Sequence, residues 1–109
     1  MLDEQNFKKR ADEALTHLNR DLIAASDDYG FEVDFNAGAL GVEFEDPPAK
    51  FVISPNTPVR QIWVSAHAKS YKLDWDIVEN SFVHTESGDT LKDLIEKAIS
   101  KQLKEEVSL

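Results

Sequence analysis

The sequence predicts an α+β protein in which two helices pack on one face of an antiparallel sheet of about six strands. Two amphipathic segments lie near the ends of the 109-residue chain, and short runs of alternating apolar and polar residues lie between them. Because each helix and each strand has one apolar face, a two-layer α/β sandwich with both helices on the same side of the sheet buries all of these faces. We expect a single domain over residues 1–109, with the second sheet face open to solvent.

The first helix is predicted over residues 3–26 and the second over residues 90–104. Asp3 falls in the first turn, where the helix dipole favours a carboxylate, and Gly30 is free to take the positive φ that ends a helix. Thr90 is a capping residue for the second helix. The first helix has an apolar face made of Phe7, Ala11, Ala14, Leu15, Leu18, Leu22 and Ala25. Residues 105–109 are too few to assign.

Six strands are predicted between the helices. They lie at residues 31–36, 40–45, 50–54, around Trp63, at 71–75 and at 82–84. Residues 37–39 are expected to form a hairpin turn, and Asp46-Pro47-Pro48 to break the chain between the second and third strands. Strands so closely spaced are typical of an antiparallel meander.

The strand around Trp63 has two faces of different character. Ile62 and Val64 point to one side, whereas Gln61, Trp63 and Ser65 point to the other. The polar neighbours indicate that the second face is wet, and a large indole on a wet sheet face is uncommon without a use. The alternative is that a loop or a helix covers Trp63.

Composition limits the class of function. The net charge is −9, and the first 46 residues contain 12 acidic and 4 basic residues, whereas the remainder contains 9 and 8. The negative electrostatic potential that results argues against nucleic acid and anionic membranes as binding partners, and it favours cations or a basic protein surface. An acidic surface that serves only solubility is the alternative.

The chain lacks cysteine, which excludes disulfides, thiolate catalysis and ligation of metals by cysteine. No apolar run reaches the about 20 residues of a membrane-spanning helix, and the N-terminus does not resemble a signal peptide. We therefore expect a cytoplasmic protein, with a mature organellar form as the alternative. Nucleophile-elbow and phosphate-loop motifs are also missing, so no organic cofactor is expected. Each of the three histidines is interpreted as a solvated surface residue.

Carboxylates are the abundant functional group. Glu13, His17 and Asp21 are spaced i, i+4, i+8 on the first helix, and outward-facing acids follow on the first two strands. Oxygen-rich surfaces with an occasional imidazole suit iron, Mn²⁺, Ca²⁺ or Mg²⁺. Binding there should be shallow, weak and screened by salt. The candidate ligands are Glu13, His17, Asp21, Asp27, Asp28, Glu32 and Asp34; the alternative is a merely solvated acidic face.

One motif has a specific resemblance. Asn56, Pro58, Gln61, Ile62, Trp63 and Ser65 form a pattern that resembles the central strand of the frataxin family. Weaker matches are the acidic first helix, Gly38-Ala39-Leu40, the segment 71–75, and Ser87-Gly88 leading into the last helix. The resemblance covers about residues 7–103 and implies the same α-β-β-β-β-β-β-α sandwich.

The resemblance also implies a function. Frataxin-like proteins bind iron weakly on an acidic ridge and act with the cysteine desulfurase and the scaffold protein of iron–sulfur cluster assembly, supplying iron or regulating sulfur transfer. It implies docking through the wet sheet face, for which we single out Asn56, Gln61, Trp63 and Ser65. No catalytic residues are expected, with ferroxidase activity, ascribed to some members, as an alternative. A monomer is expected, with an iron-dependent oligomer as the alternative.

The sequence departs from the family pattern in two places. Where the family usually has a dense run of acids, at the end of the first helix, the chain has Asn19, Arg20, Ile23 and Ala24. Phe82 stands where the family often has a second tryptophan.

Besides the cluster-assembly accessory protein and the ferroxidase, a third possible function belongs to a different class. It is an interaction module whose acidic edge docks a basic partner and binds metal only incidentally.

Overall fold

The computed structural model describes residues 2–45 and 47–109. The elements are, in order, α1 (Glu4–Tyr29), β1 (Glu32–Asn36), β2 (Ala39–Glu45), β3 (Pro48–Asn56), a 3₁₀ turn (Thr57–Val59), β4 (Gln61–Ala66), β5 (Lys69–Asp76), β6 (Ser81–His84) and α2 (Leu91–Leu103). The strands form one sheet in the order β1-β2-β3-β4-β5-β6, and every neighbouring pair is antiparallel. This confirms the predicted meander between two helices.

Both helices begin at residues suited to capping, and α1 also ends at a suitable residue. Asp3 caps α1, because its Oδ1 accepts a hydrogen bond from the Asn6 N–H at 2.8 Å. Gly30 ends α1 in the left-handed region at φ 72°, as predicted, although the helix extends three residues past the predicted end. The Thr90 hydroxyl accepts from the Asp93 N–H at 3.3 Å and caps α2.

The core lies between the sheet and the two helices. The largest fully buried side chains come from both layers: Phe7, Leu15, Leu22, Leu40, Val42, Phe51, Ile53, Ile62, Leu73, Phe82, Ile95 and Ile99. Phe7 of α1 meets Phe82 of β6 edge to face, with ring centroids 5.8 Å apart. Val33 and Phe35 of β1 are half-buried against the same cluster, as the alternation predicted. In the described part of the chain, neither helix combines the length and apolar character needed to cross a membrane.

Several strands are longer than predicted. β3 begins at Pro48, inside the predicted break, and ends at Asn56, while β5 gains residues at both ends. Asp46, the first residue of that break, lies outside the described residues. Side-chain alternation detects only the half-buried middle of a strand, whereas backbone pairing continues into exposed residues such as Lys69, which pairs with Ala66.

The C-terminal segment, left unassigned from sequence, packs back onto the core. Val107 is 4% exposed and belongs to the core cluster. Its N–H donates to Ser100 Oγ at 3.0 Å, and the Leu109 N–H donates to Glu96 Oε1 at the same distance. These contacts hold the chain end against α2.

Candidate docking face and acidic edge

The sheet face turned away from the helices has Trp63 near its centre. Strand pairing places Trp63 of β4 between Ser54 of β3 and Lys72 of β5. Its side chain is 38% exposed, whereas Ile62 and Val64 on the other face are buried, as the alternation predicted. Because the indole lies beside a small serine, its ring is accessible from that side. This answers the question left open by the sequence: the tryptophan lies on an open face.

The indole is held by polar contacts on this face. Its Nε1–H donates to Gln61 Oε1 at 2.9 Å, and Gln61 Nε2 donates in turn to Asp74 Oδ1 at 3.1 Å. The Lys72 ammonium lies 5.0 Å from the centroid of the Trp63 ring, within the range of a cation–π contact. Four side chains from β4 and β5 therefore form one connected group, which we call the Trp63 network.

The other predicted docking residues lie near this network. Ser65 is exposed on the same face of β4, and Asn56 pairs with Gln61 at the end of β3, where it precedes the 3₁₀ turn. The sequence analysis missed Lys72 and Asp74. Their two-residue spacing puts them on one face of β5, but only the β4–β5 register shows which residues they meet.

Three of the predicted metal ligands lie apart from the sheet face. Glu13, His17 and Asp21 line a groove of about 330 Å³ between α1, the start of α2 and the β5–β6 hairpin. Lys92 of α2 lies 4.0 Å from Asp21 across this groove. A cation bound at Asp21 would therefore compete with an ammonium group.

The remaining four predicted ligands lie at the other end of α1 and on β1. Asp27 and Asp28 are exposed in the last turn of α1, a turn without a basic residue. Because the carbonyl end of a helix is itself partially negative, these carboxylates raise the local negative potential. Glu32 and Asp34 are exposed on β1, and Glu32 lies opposite Glu43 of β2. We call Asp27, Asp28, Glu32 and Asp34 the acidic edge.

The carboxylates do not form a closed coordination site. Within residues 2–45 and 47–109, no three side chains of the ligand types histidine, aspartate and glutamate converge closely enough to hold one metal ion. The donor set consists of carboxylate oxygens, exposed except at the half-buried Asp21, together with the imidazole of His17, and such donors suit hard or borderline cations that keep most of their water. Any ion bound here is held at the surface and screened by salt.

The comparison with protein families gives a clear result. The family described as the frataxin-like domain matches residues 1–105. The chain belongs to the frataxin family. The iron–sulfur cluster assembly protein CyaY of Azotobacter vinelandii is 28% identical over 100 residues, which make up 90% of this chain and 90% of that protein. The solved structure of frataxin from Psychromonas ingrahamii has the same fold, with a TM-score of 0.75 at 23% identity, over 98% of this chain and 97% of that one.

The positions at which the sequence analysis expected departures from the family pattern lie on the surface of α1 and in the core. Arg20, Ile23 and Ala24 are all exposed on α1, so the surface there is poor in acids. Phe82 is buried between Phe7 and Trp75, whose ring centroid is 5.2 Å away. Phe82 therefore belongs to the core and not to the acidic edge.

The prediction that all three histidines are solvated was wrong for His67. Its ring packs edge-on against Phe51, with the centroids 5.0 Å apart, and its Nε2 lies 3.0 Å from Gln102 Oε1. Gln102 is itself buried and donates through Nε2 to the Pro47 carbonyl at 2.7 Å. His84 is half-buried, with Nδ1 2.8 Å from Ser87 Oγ. His17 alone is exposed, as predicted.

Proposed function

We propose that this chain is an accessory protein of iron–sulfur cluster assembly that docks on the cysteine desulfurase–scaffold complex through the sheet face around Trp63. Membership of the frataxin family supports this role, as does the similarity to a protein named for cluster assembly. The observation that carries the docking proposal is the exposed, hydrogen-bonded indole near the centre of the open sheet face. Iron is a weakly bound cargo in this proposal and not a resident cofactor.

The position of Trp63 suits an interface anchor. Aromatic residues near the middle of an interface account for much of the binding free energy, and truncating one costs about 2 kcal/mol or more at such a site. Ser65 and Asn56 contribute polar groups at the border of the same face, where hydrogen bonds set the orientation of a partner. The proposed docking residues are therefore Asn56, Gln61, Trp63 and Ser65.

The test is a cluster-assembly assay with the desulfurase and the scaffold, together with binding measurements on Trp63→Ala. We expect Trp63→Ala to weaken binding to the complex by tenfold or more, since about 1.4 kcal/mol corresponds to a factor of ten. The stability of this variant should change little, because Trp63 does not lie in the core; truncating a core tryptophan costs about 3–5 kcal/mol. Ile77→Ala is the control, because Ile77 is 79% exposed in the β5–β6 turn. Parent-like binding by Trp63→Ala would refute the docking proposal.

We also propose that ferrous and ferric ions bind weakly to Glu13, His17, Asp21, Asp27, Asp28, Glu32 and Asp34. The negative charge of the first half of the chain supports this, as does the pair of carboxylates in the last turn of α1, a turn that contains no basic residue. Iron added to ¹⁵N-labelled protein should broaden the amide signals of residues ~10–35 first, because these residues carry the carboxylates. Broadening confined to α2 would contradict the assignment.

Two other functions are separated by simple measurements. An interaction module with incidental metal binding is favoured over a ferroxidase by the lack of three converging ligands in the described residues. Such a module would still bind its partner after iron binding has been abolished at moderate salt. Oxygen consumption per added ferrous ion tests the ferroxidase directly, and a rate equal to that of iron in buffer excludes it.

A further inference from the structure

The Trp63 network has a fixed hydrogen-bond polarity. The indole Nε1–H can only donate, and an ionised carboxylate can only accept, whereas the amide of Gln61 does both. With Asp74 accepting from Gln61 Nε2 at 3.1 Å, the amide oxygen is left facing Trp63, from which it accepts at 2.9 Å. The amide therefore has one orientation that satisfies both neighbours, and Asp74 favours it.

We propose that Asp74 is a positioning residue of the docking face: through Gln61 it fixes the indole of Trp63 in the orientation that the partner meets. The inference rests on the proposed docking function. An indole on an open sheet face would otherwise lose rotamer freedom on binding, and immobilising a side chain weakens association. Fixing the ring in the free protein removes that cost in advance.

The register of β5 supports the same role. Lys72 pairs directly with Trp63 and Asp74 pairs with Gln61, so two alternate residues of β5 act on two of the three outward residues of β4. Lys72 contacts the face of the indole ring, and Asp74 acts on its N–H edge through the amide. The ring is thus restrained in both tilt and rotation. Asp74 is half-buried, which strengthens its hydrogen bond to the amide.

The test compares Asp74→Ala with Asp74→Asn. Alanine removes the acceptor, whereas asparagine retains an oxygen that Gln61 Nε2 can reach. Asp12→Ala is the charge-matched control, because Asp12 is an exposed carboxylate on α1. The chain has two tryptophans, so a ¹⁵N–¹H spectrum contains two indole signals, assigned with Trp63→Phe, and the signal of Trp75 is an internal reference.

We expect Asp74→Ala to move the Trp63 indole signal and to speed its exchange with water while the Trp75 signal stays in place. Binding to the desulfurase–scaffold complex should weaken by about two- to tenfold, the loss expected when one side chain must be ordered on association. Asp74→Asn should restore both the signal and the affinity, and Asp12→Ala should match the parent. If Asp74→Ala does not fold, Gln61→Met interrupts the same relay and should move the same signal.

Three results would overturn the inference. The first is an unchanged indole signal and affinity in Asp74→Ala. The second is an equal loss of affinity in Asp74→Asn, which would make the charge the important property and not the acceptor. The third is parent-like binding by Trp63→Ala, which would refute the docking function as well. If Trp63→Ala binds poorly while Asp74→Ala binds like the parent, the role of Asp74 is refuted but the docking function is not.

Discussion

Val107 offers a test of the contribution of the last five residues to the stability of the fold. The side chain is buried in the core cluster, and its own N–H is bonded to Ser100 Oγ. Replacing Val107 by alanine removes two buried carbon atoms and leaves the backbone hydrogen bond in place. The expected loss is therefore almost entirely a loss of apolar burial.

The magnitude follows from the buried area of those atoms. At about 0.8 kcal/mol per buried CH₂ group, the free energy of unfolding should fall by about 1.6 kcal/mol. Residues 105–109 lie outside the helices and strands and can move into the space, so the additional cost of a cavity should be small. A loss of 1 kcal/mol lowers the melting temperature of a domain of about this size by roughly 4 °C or more, which predicts a shift of about 6 °C.

Urea unfolding followed by far-ultraviolet circular dichroism measures this change. We expect Val107→Ala to lower the midpoint concentration without altering the slope m, because the surface exposed on unfolding is nearly unchanged. Ser108→Ala is the matched control. The side chain of Ser108 is next to Val107 in the chain but is exposed, so its replacement should change stability by less than about 0.5 kcal/mol. Identical midpoints for Val107→Ala and the parent would show that the C-terminal segment does not pack on the core.

Three further predictions concern charge. Glu32→Gln should raise the free energy of unfolding by less than about 1 kcal/mol, because Glu32 lies opposite Glu43, whose charge is partly balanced by Lys50 at 3.4 Å. Asp34→Asn is the control, and an equal gain there would argue against pairwise repulsion. Added salt should raise the melting temperature, because a net charge of −9 is self-repulsive, and a fall would contradict this. A hydrogen bond from Lys97 holds the pKa of the Asp89 carboxyl below its usual range. That pair should stabilise the fold above the unfolded pKa of about 4 and lose its effect as pH falls through the lower folded value. The stability difference between the parent and Asp89→Asn should therefore shrink between pH 7 and pH 3 in urea titrations, and a constant difference would count against the pair.

The helices and strands that could be predicted are those in which the spacing of apolar residues in the sequence matches the spacing of buried positions in the structure. The apolar positions of α1 repeat along one helix face, and six of the seven predicted are buried. The alternation around Trp63 likewise gave the correct face for each residue from Gln61 to Ser65. In both cases the pattern is local, because one element packs against one layer.

The parts that could not be predicted depend on contacts between residues distant in the chain. His67 and Gln102 are 35 positions apart, and nothing local to either indicates that they are hydrogen bonded. The β4–β5 turn is also atypical: His67 and Ala68 have φ values of 52° and 61°, a pair usually supplied by asparagine and glycine. The packing of His67 on Phe51 and its bond to Gln102 help to offset that conformational cost.

The topology explains why the acidic edge and the docking face can be tested separately. In a meander, the order of strands in space follows their order in the chain. Residues that are concentrated in one part of the sequence therefore lie on one side of the sheet. The acidic edge lies at the end of α1 and on the edge strand β1, whereas the Trp63 network lies on β4 and β5, with two strands between. Charges separated by more than a Debye length, about 8 Å at physiological salt, are largely screened, and neighbouring strands are about 4.8 Å apart. Substitutions in the acidic edge should therefore change cation binding without changing the orientation of the indole, and substitutions at Asp74 should do the reverse.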